Sequence, residues 1–162
     1  IAQCLVGSEM CIRDRKNKGE KIMTNQDTKC VIVINEELPL GIIANTCTIL
    51  GITLGKHVPE LVGEDAVDSS EKSHLGIITI PVPILKANKE LLRALREELC
   101  TDNYKDVITV DFSDVAQSCN VYSEYLQKAS MTPELEHSYF GLAICGHKKK
   151  VNKLTGSMPL LR

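Results

Sequence analysis

The run from Lys29 to Gly55, KCVIVINEELPLGIIANTCTILGITLG, limits what this chain can fold into more than any other stretch. Val31 to Ile34 is continuously β-branched, which suits a strand covered on both faces. Asn35, Glu36 and Glu37 end it. Pro39 fits the first turn of a helix, where its missing N–H costs nothing. Ile43, Cys47, Leu50 and Leu54 then recur at helical spacing, flanked by Ile42, Ala44 and Ile49, and predict a helix with a broad buried face. Gly55 suits the position just past its end, with Lys56 and His57 as favourable charges there. The rest of the chain has to supply strands and helices to lie against this unit.

It does so in alternation. His57 to Ser73 reads as a polar loop, acidic at Glu64, Asp65, Asp68 and Glu71 without the spacing of an EF-hand calcium loop. Leu75 to Ile80 predicts a second buried strand, closed by Pro81 and Pro83. Asn88 caps a helix, KELLRALREEL, with Leu91, Leu92, Leu95 and Leu99 inside and Lys89, Glu90, Arg93, Arg96, Glu97 and Glu98 in water. Val107 to Val110 is the third strand. A helix follows Asp111-Phe112-Ser113-Asp114, with Ser113 as N-cap and Val115, Cys119, Tyr122 and Leu126 on one face. Tyr139 to Cys145 is the fourth strand, and KKKVNKLTG is a short basic helix ended by Gly156. Strands alternating with amphipathic helices predict an α/β sandwich with a largely parallel sheet and right-handed connections.

Composition narrows the class further. The 162 residues are 43% hydrophobic, enough for one domain with its own core. No apolar run is long enough to span a membrane. Seven cysteines occur without a C-x-x-C pair or zinc-like His/Cys spacing. They read as buried thiols in a reducing cytoplasm, with no metal and no cofactor implied. A net charge of −2 gives no reason to expect nucleic-acid binding. Residues 1–22 read differently from the rest. Cys4 to Arg15, CLVGSEMCIRDR, resembles a translated sequencing-adaptor artefact, and Gly19-Glu20 can encode a ribosome-binding sequence ahead of Met23. Residues 1–22 are therefore expected to be a non-native or disordered leader, and 23–162 a single domain. Without the leader, 14 basic residues stand against 18 acidic ones.

GIIANTC, Gly41 to Cys47, together with GLAICGHKKKVNKLTGSMPLL, Gly141 to Leu161, resembles the type II peptidyl-tRNA hydrolase fold. Cys30 to Arg162 as a whole resembles the bacterial family called domain of unknown function 2000, through ELPLGIIAN, IPVPIL, DFSDVAQSCNVYSEYL and VNKLTGSMPLLR. The resemblance implies a three-layer α/β/α sandwich. Its four-stranded mixed sheet would have the order 2-1-4-3, with the last strand antiparallel. It also implies a loss. The lysine that the hydrolases carry after their first-helix glycine falls at Ile42, their glutamine at Thr46 and their histidine at Ile49; their cysteine is kept as Cys47. Asp111 stands for the acidic residue after the third strand.

Ligands of such sheets bind outside the carboxyl ends of the parallel strands. Asn35, Glu36, Glu37, Gly41, Asn45, Asp111, Ser113 and Asp114 arrive there. Glu37, Gly41, Asn45 and Gln117 are the candidate ligand-binding residues. Asp111 is the candidate general base and Ser113 the candidate nucleophile, which would need a base such as His57 or His74 folded over it. The plainer reading of Asp111 and Asp114 is favourable charge at a helix start. Lys148, Lys149, Lys150 and Lys153 read as a solvated basic face at the opposite end of the sheet. Three functions follow: a small domain that binds a small polar ligand or a partner and lacks peptidyl-tRNA hydrolase activity; a hydrolase using Asp111 and Ser113; or an interaction protein that dimerises through an apolar helix face.

Overall fold

The structure, a computed structural model, describes residues 27–162; the leader expected over residues 1–22 lies outside them. In chain order the elements are β1 (Thr28–Asn35), α1 (Leu40–His57), β2 (Ala66–Val67), β3 (Ser73–His74), β4 (Ile84–Ala87), α2 (Lys89–Leu99), β5 (Ile108–Ser113), α3 (Asp114–Gln117), α4 (Tyr122–Met131), β6 (Tyr139–His147) and α5 (Lys148–Thr155).

A four-stranded sheet in the order β4-β1-β6-β5 forms the centre. β1 pairs in parallel with β4 and antiparallel with β6, and β5 pairs antiparallel with β6. The sheet is thus mixed, with its last strand reversed, as the family resemblance implies; the largely parallel sheet that alternation alone suggests is corrected by β6, which makes two of the three pairings antiparallel. Alternation along β1 divides the core. Val31 and Val33, with Leu142 and Ile144 of β6, meet Leu92, Leu95 and Leu99 of α2 and Val151 of α5. Cys30, Ile32 and Ile34, with Ala143 and Cys145, meet Leu50 and Leu54 of α1 and then Val58 and Leu61. Gly141 permits close packing on this second face. A Cβ there would lie 2.6 Å from Ile34 Cδ1, 3.0 Å from the Val33 carbonyl oxygen and 3.1 Å from Thr46 Cγ2.

Several expectations need correction. Leu75 to Ile80 is not the second strand of the sheet; Leu75 and Ile77 are 83% and 80% exposed. The strand beside β1 is Ile84–Ala87, and the Pro83 carbonyl accepts the Ile32 N–H at 3.0 Å. The prolines begin the strand instead of ending one, because a short apolar run cannot by itself be told from a surface segment. The loop before it holds the β2–β3 hairpin. α1 runs two residues past Gly55 to His57, and its deepest residues are Thr46, Leu50 and Leu54, with Ile43 and Cys47 half-buried. The helix expected from Ser113 to Leu126 is two. Ser118 Oγ and Cys119 Sγ both return to the Val115 carbonyl, at 2.8 and 3.2 Å, and such side-chain competition breaks a helix. Tyr122 and Leu126 consequently point outward, at 72% and 55% exposure. Leu91 is also exposed, whereas Arg93 and Arg96 are half-buried.

Candidate functional site

The three parallel strands end at one edge of the sheet, at Asn35, Ala87 and Ser113, and β6 enters there with Tyr139. The β5–β6 register slips between Phe112 and Ser113, so Ser113 pairs with Tyr139 and Phe140 is the extra residue. This bulge lets Tyr139 and Leu142, three residues apart, pack into the same core beneath α2.

On that side five contacts join seven residues. Arg96 Nε of α2 donates to Asp111 Oδ2 at 3.1 Å, with both side chains largely covered. Ser113 Oγ lies 3.2 Å from His137 Nδ1. Arg93 donates to the His137 carbonyl at 2.6 Å. The Tyr139 ring stacks on His137, with centroids 6.0 Å apart and planes 15° from parallel. The Tyr139 hydroxyl donates to Glu134 Oε1 at 3.1 Å. Asp114 holds the segment in place: its Oδ1 accepts from the Val115 and Ser138 N–H groups, both at 2.9 Å. Burial pushes the Tyr139 phenol far up from its ordinary pKa, and Asp111 and Glu134 push it further. Burial pulls the Arg96 guanidinium down, but Asp111 and its other negative neighbours more than offset this, so its net shift is upward. Beside the cluster a cavity of about 330 Å³ opens between Lys89, Arg93 and Glu97 of α2 and Glu136, His137 and Tyr139 opposite. It presents charges of both signs.

The six expected site residues do not come together: four fall into two pairs on opposite faces of the sheet, and two stand apart. Asn45 Nδ2 meets Gln117 Oε1 at 3.4 Å, on the α1 side of the sheet. Asp111 and Ser113 engage α2 and His137. Glu37 is exposed, with its N–H held by Asn35 Oδ1 at 3.1 Å. Gly41 stands in open space at the start of α1. The histidine beside Ser113 is His137, neither of the two expected. His74 pairs with Asp68 at 3.2 Å, and His57 lines a groove beside β5. His137 was readable in principle: a reversed last strand must start where the third strand ends, so the residues just before Tyr139 fall beside Ser113. Arg93 and Arg96, three apart on α2, carried no such signal. Lys150 of the basic segment pairs with Asp106 at the far edge.

Among the described residues no group of His, Cys, Asp and Glu side chains is arranged to hold a metal ion, and no helix is long and apolar enough to cross a membrane.

Residues 28–162 match the family described as "Protein of unknown function (DUF2000)", and the chain belongs to that family. No curated protein sequence matches it. Among solved structures, the chain is similar to Atu0240, a protein of unknown function from Agrobacterium tumefaciens. The TM-score is 0.75 at 18% identity, over 84% of this chain and 98% of that one. At that identity the likeness concerns the fold alone.

Proposed function

We propose, from that family membership and the geometry above, that this chain is a single cytoplasmic domain that binds a small polar ligand and lacks peptidyl-tRNA hydrolase activity. The ligand lies in the cleft between α2 and the His137–Tyr139 segment. One observation carries the reading: Arg93, His137 and Tyr139 border an open cavity of about 330 Å³ while Ser113 holds the His137 ring, Glu134 holds the Tyr139 hydroxyl and the His137 carbonyl holds Arg93. A preorganised polar wall beside a cavity of that size suits a small ligand. The type II peptidyl-tRNA hydrolase-like fold goes with this reading, supported by the sheet order and by the reversed β6.

The argument against tRNA rests on α1. Ile42 supplies no ammonium at the start of this helix, and Glu37 places negative charge beside it. Glu36 contributes less than its sequence position implies, because Lys86 neutralises it at 2.8 Å. Native mass spectrometry of freshly purified protein tests the binding reading. A retained small molecule that is lost in Arg93→Ala supports it; retention unchanged in Arg93→Ala refutes this location. A cleavage assay on a labelled aminoacyl-blocked tRNA tests the other half, and turnover above buffer that is lost in Asp111→Asn would overturn it.

A hydrolase reading has one observation in its favour, the 3.2 Å approach of His137 to Ser113. Ser113 is 3% exposed, which places its hydroxyl out of a substrate's reach in this conformation. Covalent labelling of Ser113 by a fluorophosphonate would reinstate that reading.

A further inference from the structure

β5 closes one side of the sheet and, among the described residues, pairs only with β6. Its outer edge forms the floor of a groove of about 670 Å³, which touches every residue from Ile108 to Phe112. Successive side chains of a strand point to opposite faces, so a cavity that meets five in a row meets the strand from its edge. α1 forms one wall through Ile49 and Thr53, and Val121 and Tyr125 form the other. Natural edge strands are commonly blunted by proline, lysine or a covering segment. ITVDFS contains neither residue. The flanks are apolar as well: Ile52 is 72% exposed, Val121 54% and Tyr122 72%, and α1 carries no charge from Leu40 to Gly55.

We infer that a second copy of this chain pairs along this edge, β5 antiparallel to β5 about a two-fold axis at Val110. The strand is complementary to itself in that register. Ile108 stands opposite Phe112, Val110 opposite its own counterpart, and Thr109 opposite the second copy's Asp111. Thr109 Oγ1 is buried with no hydrogen-bond partner among the described residues, and Arg96 occupies only Oδ2 of Asp111 by its hydrogen bond. Directly opposed residues bring their Cβ atoms to about 4.5–5.5 Å. After a rotation about χ1, the Thr109 hydroxyl can therefore donate to the carboxylate across the interface. The same axis sets α1 beside α1 of the second copy on one face of a continuous sheet, covering Ile49 and Ile52. A charge-free helix meets its own copy without repulsion. Ile52, Val121 and Tyr122 offer roughly 100 Å² apiece, over a third of the ~800 Å² per partner of a stable interface, to which the β5 edge and the α1 wall add the rest of the groove. A closed two-fold contact also leaves no further edge exposed at β5.

Light scattering at ~100 µM chain, above the micromolar affinities of the weaker interfaces of this size, reads the mass. The wild type is expected at twice 17.9 kDa, and Ile52→Glu, a change at an exposed position, at 17.9 kDa with an unaltered circular dichroism spectrum. Val110→Cys in a Cys100→Ser/Cys119→Ser background reads the register. Oxidation should give a covalent dimer, while Ser70→Cys in the same background, on the distant hairpin, should not. A monomeric wild type overturns the inference. So does a dimer in which Val110→Cys cross-links no better than Ser70→Cys.

Discussion

Replacing Arg96 by Met keeps the apolar stem under α2 and removes only the guanidinium, so it tests what holds Asp111. The pair is 3.1 Å apart, and the side chains are 25% and 30% exposed. At an effective dielectric constant near 20 the gross attraction is about 5 kcal/mol, most of which is offset by the desolvation of both ions. A fully buried partner left alone costs about 3–5 kcal/mol. Asp111 is exposed enough to regain some water, which brings the expected loss to about 1–2 kcal/mol. That corresponds to a fall in Tm of about 2–4 °C per kcal/mol for a chain of this size. Asp111→Asn alone should also destabilise, because it leaves the guanidinium without its counter-charge. The double variant should lose about 1 kcal/mol less than the sum of the two, measured by urea denaturation with unchanged slope. A coupling energy below about 0.3 kcal/mol, the usual limit of additivity, would mean that the two side chains are neighbours without mutual stabilisation.

Tyr139 has a folded-state pKa raised by burial, by Asp111 and by Glu134, so its contribution to stability is complete below the unfolded value of about 10 and is lost as pH rises beyond it. Tyr139→Phe should flatten the alkaline fall in stability above about pH 10, and an unchanged alkaline limb would show that another group controls it. Thr46 Oγ1 is buried without a partner among the described residues, so Thr46→Val should raise stability by about 1 kcal/mol in chemical denaturation; destabilisation would reveal a partner for the hydroxyl. Gly141→Ala should cost about 1–3 kcal/mol, because the Val33 carbonyl, unlike the Ile34 methyl, cannot move aside. A wild-type midpoint for it would mean that α1 sits further from the sheet.

β1 and β6 were legible as strands because they are apolar through their centres and buried on both faces, but their order and the reversal of β6 came only with the family resemblance, since strand–helix alternation by itself points to a largely parallel sheet. β4 was not, since its four residues, ILKA, include a lysine and follow two prolines, while the more apolar GIITI upstream lies mostly in solvent. Helical periodicity located α2 almost residue for residue, yet it put Arg93 and Arg96 in water. A long cationic side chain at the margin of a buried face can turn inward when an acceptor awaits it, and the acceptors here come from β5 and from the residues before β6. Such partners lie 15 and 44 positions away, beyond any local pattern. His137 lies 24 positions from Ser113, and only the reversal of β6, not any local pattern, brings the two together. The break at Ser118–Val121 was a local signal passed over: Ser, Cys and Asn in succession are weak helix formers, and an apolar stripe drawn across them joined two helices that face different ways.

The division of the expected site has a simple physical origin. Three helices start at the carboxyl edge of the sheet, and the two long ones, α1 and α2, could each face a ligand. The first turn of α1 is Leu40, Gly41, Ile42 and Ile43, with no side chain able to donate or accept a hydrogen bond. The first turns of α2 are opened by Asn88, whose side chain accepts the Leu91 N–H at 2.9 Å, and carry Lys89, Glu90 and Arg93. Asp111 and Ser113 follow the chemistry: they turn to the α2 side, where a guanidinium and an imidazole meet them. In this chain, then, the edge at which α/β sheets commonly bind ligands sets its guanidinium and imidazole groups on the side opposite the helix that the hydrolase resemblance emphasises. A shared fold fixes where such an edge lies, and the residues of each chain decide which side of it can recognise anything.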